Sequence, residues 1–210
     1  MKSSSIRSTS FLCLILSAAV ASSGCAALFG WDIHAPGILS ARFFEQTQPV
    51  NQRIALYFEP ELAAFISTDK GGRFADPQTY HVGEALTPML VEGFQQGFHE
   101  FILMETRPTP EIMKQYAIPH LAVVRIKDFG NRVTLKGQVL AIITETAVLD
   151  QELNLLGKFE SSGVSDAHKI FAKKGGPQVN LNAAIENNVK AIIEHIQDSL
   201  HTNAWQGQTA

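Results

Sequence analysis

Cysteine is almost missing from this chain: 210 residues hold two, Cys13 and Cys25. A disulfide-stapled fold and a cysteine-bound zinc cluster are thereby excluded. No basic tract occurs beyond the pair Lys173-Lys174, and 17 Lys and Arg face 20 Asp and Glu, for a net charge of −3. That balance argues against nucleic acid or anionic lipid as an electrostatic partner. No run is long enough to cross a bilayer, since the one apolar stretch, Phe11 to Val20, falls short of the roughly 20 residues required and is followed by Ala and Ser. Internal repeats and low-complexity segments are also absent.

What is present begins at the N-terminus. Lys2 and Arg7 precede the apolar stretch, and Ala21-Ser22-Ser23-Gly24-Cys25 closes it. A charged head, an apolar middle and small residues at the cut make a secretory signal. A Cys directly after the small residues points to a bacterial lipoprotein, cut before Cys25 and acylated on it; an ordinary signal whose cleavage leaves a free Cys is the alternative. Ser23 and Gly24 fit the usual lipobox, whereas Ser22 stands where Leu is expected. Cys13 leaves with the signal, so the mature chain has no disulfide. Removing residues 1–24 takes away two basic residues and no acid, leaving 15 basic against 20 acidic side chains, net −5. Ala26 after the Cys, rather than Asp, resembles Gram-negative sorting to the outer membrane.

Four segments follow: a signal peptide over 1–24, a lipidated Cys and tether over 25–50, one α+β domain over 51–201 and a polar tail over 202–210. The tether contains Gly30, Pro36, Gly37 and Pro49 without a sustained period. Fully extended, 25 residues reach about 80 Å. Trp31, Phe43 and Phe44 are unusual in a linker, so part of this stretch either packs on the domain or touches a membrane or partner.

Within the domain the periodicities are legible. Ile54, Leu56 and Phe58 alternate on one face of a strand over 53–59. Residues 62–68 either pair with it or lie at an edge, and Asp69-Lys70-Gly71-Gly72 breaks the pattern. Leu86, Leu90, Phe94, Phe98 and Phe101 recur at spacings of four or three and predict a helix over 82–103. Either Thr87 caps a helix that begins at Pro88, or the helix is longer and contains it. A short helix from Pro110 and a strand over 121–127 come next. Asp128-Phe129-Gly130-Asn131 reads as a turn. From Arg132 onward Val133, Leu135, Gly137 and Val139 face the core while Arg132, Thr134, Lys136 and Gln138 face water; a third strand runs from Leu153 to Ser161. In 181–200, Leu181, Ile185, Val189, Ile192, Ile193, Ile196 and Leu200 form an apolar stripe on a helix capped by Asn180 or Asn182. Strand, helix, strand, meander, helix is the order of a two-layer α+β sandwich: a mostly antiparallel sheet covered by two main helices.

A signal ending in Cys, a first strand reading Arg-Ile-Ala-Leu-Tyr-Phe, and Val-Gly-Glu-Ala-Leu leading into spaced apolar residues resemble the small outer-membrane lipoproteins of Gram-negative bacteria, of the YajG and LptE kinds. The resemblance implies a periplasm-facing domain that binds or chaperones a larger partner, and brings no catalytic site with it.

The chain's own chemistry agrees. The seven His at 34, 81, 99, 120, 168, 195 and 201 form no HExxH pattern, so no metal and no cofactor is expected. There is no Gly-x-Ser-x-Gly, and Ser161, Ser162, Asp166 and His168 crowd one loop where triad members come from separate elements. Lys70-Gly71-Gly72 and Lys173-Lys174-Gly175-Gly176 lack P-loop spacing. The expectation is a membrane-anchored, non-catalytic accessory or subunit of an envelope assembly or transport system. Its partners are the membrane through Cys25, an envelope protein, and a second copy if a sheet edge is free. The alternative is a binding module for lipid, glycan or lipopolysaccharide, with Lys173, Lys174, Phe94, Phe98 and Phe101 as its contacts; an enzyme is not expected.

Overall fold

A computed structural model describes residues 30–71, 76–134, 137–166 and 176–202. They form two units. The smaller, with described residues 30–32, 68–71 and 76–79, carries most of a small sheet. Its strands are β1 (Trp31–Ile33), β3 (Ser67–Asp69) and β4 (Gln78–Tyr80), in the order β1-β4-β3. The Trp31 amide donates to the Pro77 carbonyl at 2.8 Å. The break after β3 is the expected one: the Asp69 carboxylate accepts from the Gly71 amide at 2.9 Å, and Gly71 sits at φ +71°.

The larger unit, residues 33–67 and 80 onward, is built on a five-stranded sheet. The predicted first strand is β2 (Val50–Phe58), joined by β5 (Phe98–Leu103), β6 (Leu121–Thr134), β7 (Gly137–Leu149) and β8 (Leu155–Val164), in the order β5-β2-β6-β7-β8. Ile54, Ala55, Leu56 and Tyr57 are buried in succession, because β2 is an inner strand covered on both faces. The sheet is antiparallel over most of its paired length, as expected, with a parallel part: β6, β7 and β8 form the antiparallel meander, while β2 pairs in parallel with β5 and β6. Parallel neighbours need a crossover, and the helices between β2 and β6 supply it.

Four local expectations are corrected, the first only in part. Of residues 62–68, Leu62 and Ala63 end a short helix, α2 (Pro60–Ala63), with proline at its first turn, whereas Ser67 and Thr68 lie on the edge strand β3 of the small sheet and do not pair with β2. Asp128–Asn131 is no turn. β6 runs through it with a bulge between Ile126 and Asp128, and Phe129 pairs with Ile142 while its ring meets Tyr80 at 5.2 Å. β6 ends at Thr134 and β7 begins at Gly137, antiparallel to it, so the alternating run belongs to two strands. Gln138 is therefore buried, donating to the Tyr80 hydroxyl at 2.6 Å and to Asn131 at 3.0 Å, while Val133 is exposed. Finally, neither Asn180 nor Asn182 caps the last helix, which starts earlier, at Pro177.

The helices cover the sheet as the apolar stripes require. α3 (Val82–Gly97) contains Pro88 within it, and the Thr87 hydroxyl donates back to the Gly83 carbonyl at 2.8 Å instead of capping. The stripe leaves the helix at Gly97: Phe98 and Phe101 stand on β5. α5 (Pro177–His201) buries Leu181, Ile185, Val189, Ile192, Ile193 and Ile196. Together α3 and α5 close one face over Ile54, Leu56, Ala122, Val124, Leu140 and Ile142. The opposite face carries a smaller cluster in which Met113, from α4 (Pro110–Gln115), and Ile118 cover Ala55, Tyr57 and Leu121. Two polar side chains of α5 tie it to the sheet. Asn188 donates to the Ser161 carbonyl at 2.9 Å and accepts from the Thr144 hydroxyl at 3.1 Å. Asn180 donates to the Gln138 carbonyl at 3.2 Å. Buried amides of this kind fix the position of a helix that an apolar stripe alone would let slide.

Candidate functional site

The segment read as a tether is packed from residue 33 onward. Ile33, Leu39 and Phe43 are buried in the main core, and Ala41–Gln46 form a short helix, α1, whose N-cap Ser40 accepts from the Phe43 amide. Polar residues of α5, spaced four or seven apart, hold the segment along its length. Asn182 donates to the Ile38 carbonyl at 2.7 Å. Glu186 accepts from both the amide and the hydroxyl of Ser40 at 2.7 Å. Lys190 donates to Gln46 at 2.8 Å, and Gln197 to the Gln48 carbonyl at 3.0 Å. From the other side, Gln96 of α3 donates to the Thr47 carbonyl at 3.0 Å. Residues 38–48 are thus a strap clasped by two helices. The sequence pattern Asn182, Glu186, Lys190, Gln197 is the signal for it, since these residues share a face beside the apolar stripe.

A surface groove of about 480 Å³ opens beside the strand ends, lined by Asn51, Gln52, Arg53, Glu100, Asp150 and Glu152 among others. Its one guanidinium is committed: Arg53 pairs with Glu100 and donates to the carbonyls of Tyr116 at 2.8 Å and Ala117 at 3.3 Å. Asp150 is committed as well, accepting from the Asn154 amide at 2.8 Å. These bonds hold together the loops that line the groove. On β7, Glu145 sits between Lys158 and Arg125. The Lys158 ammonium, followed by the Arg125 charge, holds its carboxyl below the usual carboxylate range.

Cys25, Lys173 and Lys174 lie outside the described residues, as does His168. Phe94 and Phe98 are fully buried and packed on one another at 5.5 Å; Phe101, at 6.1 Å from Phe94, is half-buried at the core's edge. Ser161 is buried on β8, where its carbonyl receives the Asn188 bond, and Asp166 is exposed. The remaining histidines separate. His99 and His201 are exposed, and His195 stacks on Phe159 at 3.8 Å. His120 is largely buried, which pushes its imidazole below the ordinary value, with Asp150 pulling the other way. One grouping was not anticipated from the sequence. His34 and His81 stack at 3.9 Å beside Glu84, whose carboxylate lies 2.8 Å from His34 Nδ1 and 3.8 Å from His81 Nδ1. The His81-x-x-Glu84 spacing was its available signal.

No protein-family model matches the sequence, and no curated protein matches it. Among solved structures, the hypothetical protein CT253 of Chlamydia trachomatis is similar with a TM-score of 0.42 at 7% identity, over 72% of this chain and 96% of its own. The lipoprotein GNA1162 of Neisseria meningitidis gives 0.26 at 7% identity, over 47% of this chain and 58% of its own. A PelC dodecamer of Paraburkholderia phytofirmans gives 0.35 at 7% identity, over 69% and 92%. Among the described residues, no helix is long and apolar enough to cross a membrane.

Proposed function

We propose that this chain is a lipid-anchored envelope protein, held through Cys25 at the periplasmic face of the outer membrane, and that it serves as a non-catalytic accessory or subunit of an envelope assembly or transport system, in the manner of YajG- or LptE-like lipoproteins. The observation that carries the reading is the distance between anchor and fold. Cys25 closes a signal sequence, and the core begins at Ile33, which is 1% exposed. Eight residues extend about 28 Å at most, so the lipid would hold the domain at the bilayer surface instead of on an 80 Å leash. A domain so short-tethered works on what is itself in or at the membrane. The committed Arg53 and Asp150 side chains of the groove support a binding rather than a catalytic role. The burial of Phe94 and Phe98 favours the accessory reading over a module that takes lipid between helix and sheet.

The test is crosslinking in intact cells, followed by purification of the full-length protein with mass spectrometry of the proteins and lipids retained. A stoichiometric envelope protein is the expected result. Recovery of the protein with one enriched lipid and no protein partner would overturn the accessory role in favour of lipid binding.

A further inference from the structure

The backbone brings His34 and His81 side by side: the His81 amide donates to the Ile33 carbonyl at 3.1 Å, so the residue after β1 is set against the residue before α3. Their rings stack within 16° of parallel, and a ring nitrogen of each lies within 4.8 Å of one on the other. Glu84, in the first turn of α3, aims one carboxylate oxygen at the Nδ1 of both, at 2.8 and 3.8 Å. We propose that His34, His81 and Glu84 form a binding site for a divalent transition-metal ion, with Zn²⁺ its natural occupant.

Three observations converge on this. The first is donor type: two imidazoles and one carboxylate suit zinc, and three protein ligands leave a fourth position for water. The second is spacing. Zinc holds nitrogen and oxygen at about 2.0–2.2 Å, which puts tetrahedral ligands roughly 3.3 Å apart. The carboxylate-to-imidazole distances of 2.8 and 3.8 Å bracket that separation. His81 and Glu84 are three residues apart at the start of a helix, and His34 is added from 47 residues upstream. The third is freedom to adjust. Imidazole lone pairs lie in the ring plane, so two near-parallel rings must swing apart to share an ion. The side chains of His34 and Glu84 are 49% and 59% exposed, so both can move without disturbing the core. The Glu84 charge offsets the partial positive charge that a helix N-terminus would set against a cation.

An ion so held would cross-link the entry of the strap, nine residues from Cys25, to the first turn of α3. The site uses neither the lipid nor a partner, so it stands or falls independently of the anchoring reading.

The untagged protein, purified from whichever cell fraction holds it, with detergent where that is the membrane, is stripped with chelator and titrated with ZnCl₂. The expected result is one Zn²⁺ per chain and, at a hundredfold excess over Kd, a rise in melting temperature of about 5–10 °C. His34→Ala and Glu84→Gln lie at exposed side chains and are expected to keep the wild-type circular dichroism spectrum while losing the zinc-induced rise; His99→Ala is expected to keep it. Co²⁺ in place of Zn²⁺ is expected to give the visible absorption of a four-coordinate site in the wild type and not in His34→Ala. Absence of stoichiometric uptake by the wild type, or a zinc-induced rise that survives both variants, would overturn the proposal.

Discussion

Gly163→Ala tests the packing of α5 most sharply. Gly163 lies in the middle of the helix–sheet contact, buried on β8 beneath α5. A methyl group placed there would stand 2.0 Å from the Ala184 carbonyl oxygen, 2.4 Å from the Asn188 amide nitrogen and 2.7 Å from the Asn188 Cβ. The first two are helix backbone, so no rotamer change relieves the clash; α5 must lift by an ångström or more. Lifting it strains the Asn188 bonds to Ser161 and Thr144 and loosens the apolar stripe from the sheet. Overpacking of this kind costs typically 1–3 kcal/mol, and a backbone obstacle belongs at the upper end. The restricted unfolded chain of the alanine variant returns about 0.4–1 kcal/mol. The net expectation is a loss of about 2–2.6 kcal/mol, or roughly 4–10 °C in melting temperature for a domain of this length. Circular dichroism melts measure it, with two comparisons. At Gly93 the obstacles are the side-chain ends of Val189 and Ile193, at 2.6 and 2.9 Å, and the loss should be smaller. At Gly130 nothing lies within 4 Å, so alanine should be neutral or mildly stabilising. If Gly163→Ala melts like Gly130→Ala, α5 does not lie on β8 as described.

Two further outcomes are expected. Ile192→Asp and Ile196→Asp each place a carboxylate in the fully buried face of α5; each should cost at least about 4 kcal/mol in denaturant unfolding, combining a lost aliphatic contact with a buried charge, and wild-type midpoints in both would mean that this face is not packed on the sheet. Acid should weaken the fold in two separate windows. His120 is held below its ordinary value by burial, so the unfolded chain takes up that proton first and stability falls as pH drops below about 6.5. Glu145 is held low by Lys158 and Arg125, so its contribution is present above the unfolded carboxylate value of about 4.3 and is lost as pH falls through the lower folded value. His120→Gln should flatten the first window and Glu145→Gln the second, in melts recorded from pH 8 to 3; unchanged profiles would refute the assignments.

The fold was legible where one period governs one element. The α5 stripe, the β2 alternation and the β7–β8 meander follow from side chains repeating at 3.6 or 2 residues. It was illegible where pairing decides. Nothing in the local pattern around Ile54 says that β2 takes parallel neighbours on both sides, because strand order is fixed by which helices cross over and not by alternation. The run 132–139 misleads for a related reason: β6 ends at Thr134 and β7 begins at Gly137, so the chain changes strand while the sequence goes on alternating, and Gln138 moves from the expected wet face into the core. Asn180 and Asn182 look like caps because Asn favours that position, whereas tertiary contacts with Gln138 and Ile38 claim them. The strap was half legible, through Phe43 in a supposed tether. The His34–His81–Glu84 grouping was not, because His34 joins it only through backbone pairing between residues 33 and 81.

The central claim, that a lipid on Cys25 holds this domain at the membrane, is tested most directly by the intact mass and N-terminal peptide of the protein recovered from the membrane fraction, beside Cys25→Ala. The account predicts a mature chain that begins at Cys25 and carries the mass of a diacylglyceryl group and an amide-linked acyl chain, with Cys25→Ala absent from the membrane pellet. A mature chain with an unmodified Cys25, or a Cys25→Ala protein that remains in the membrane, would contradict it.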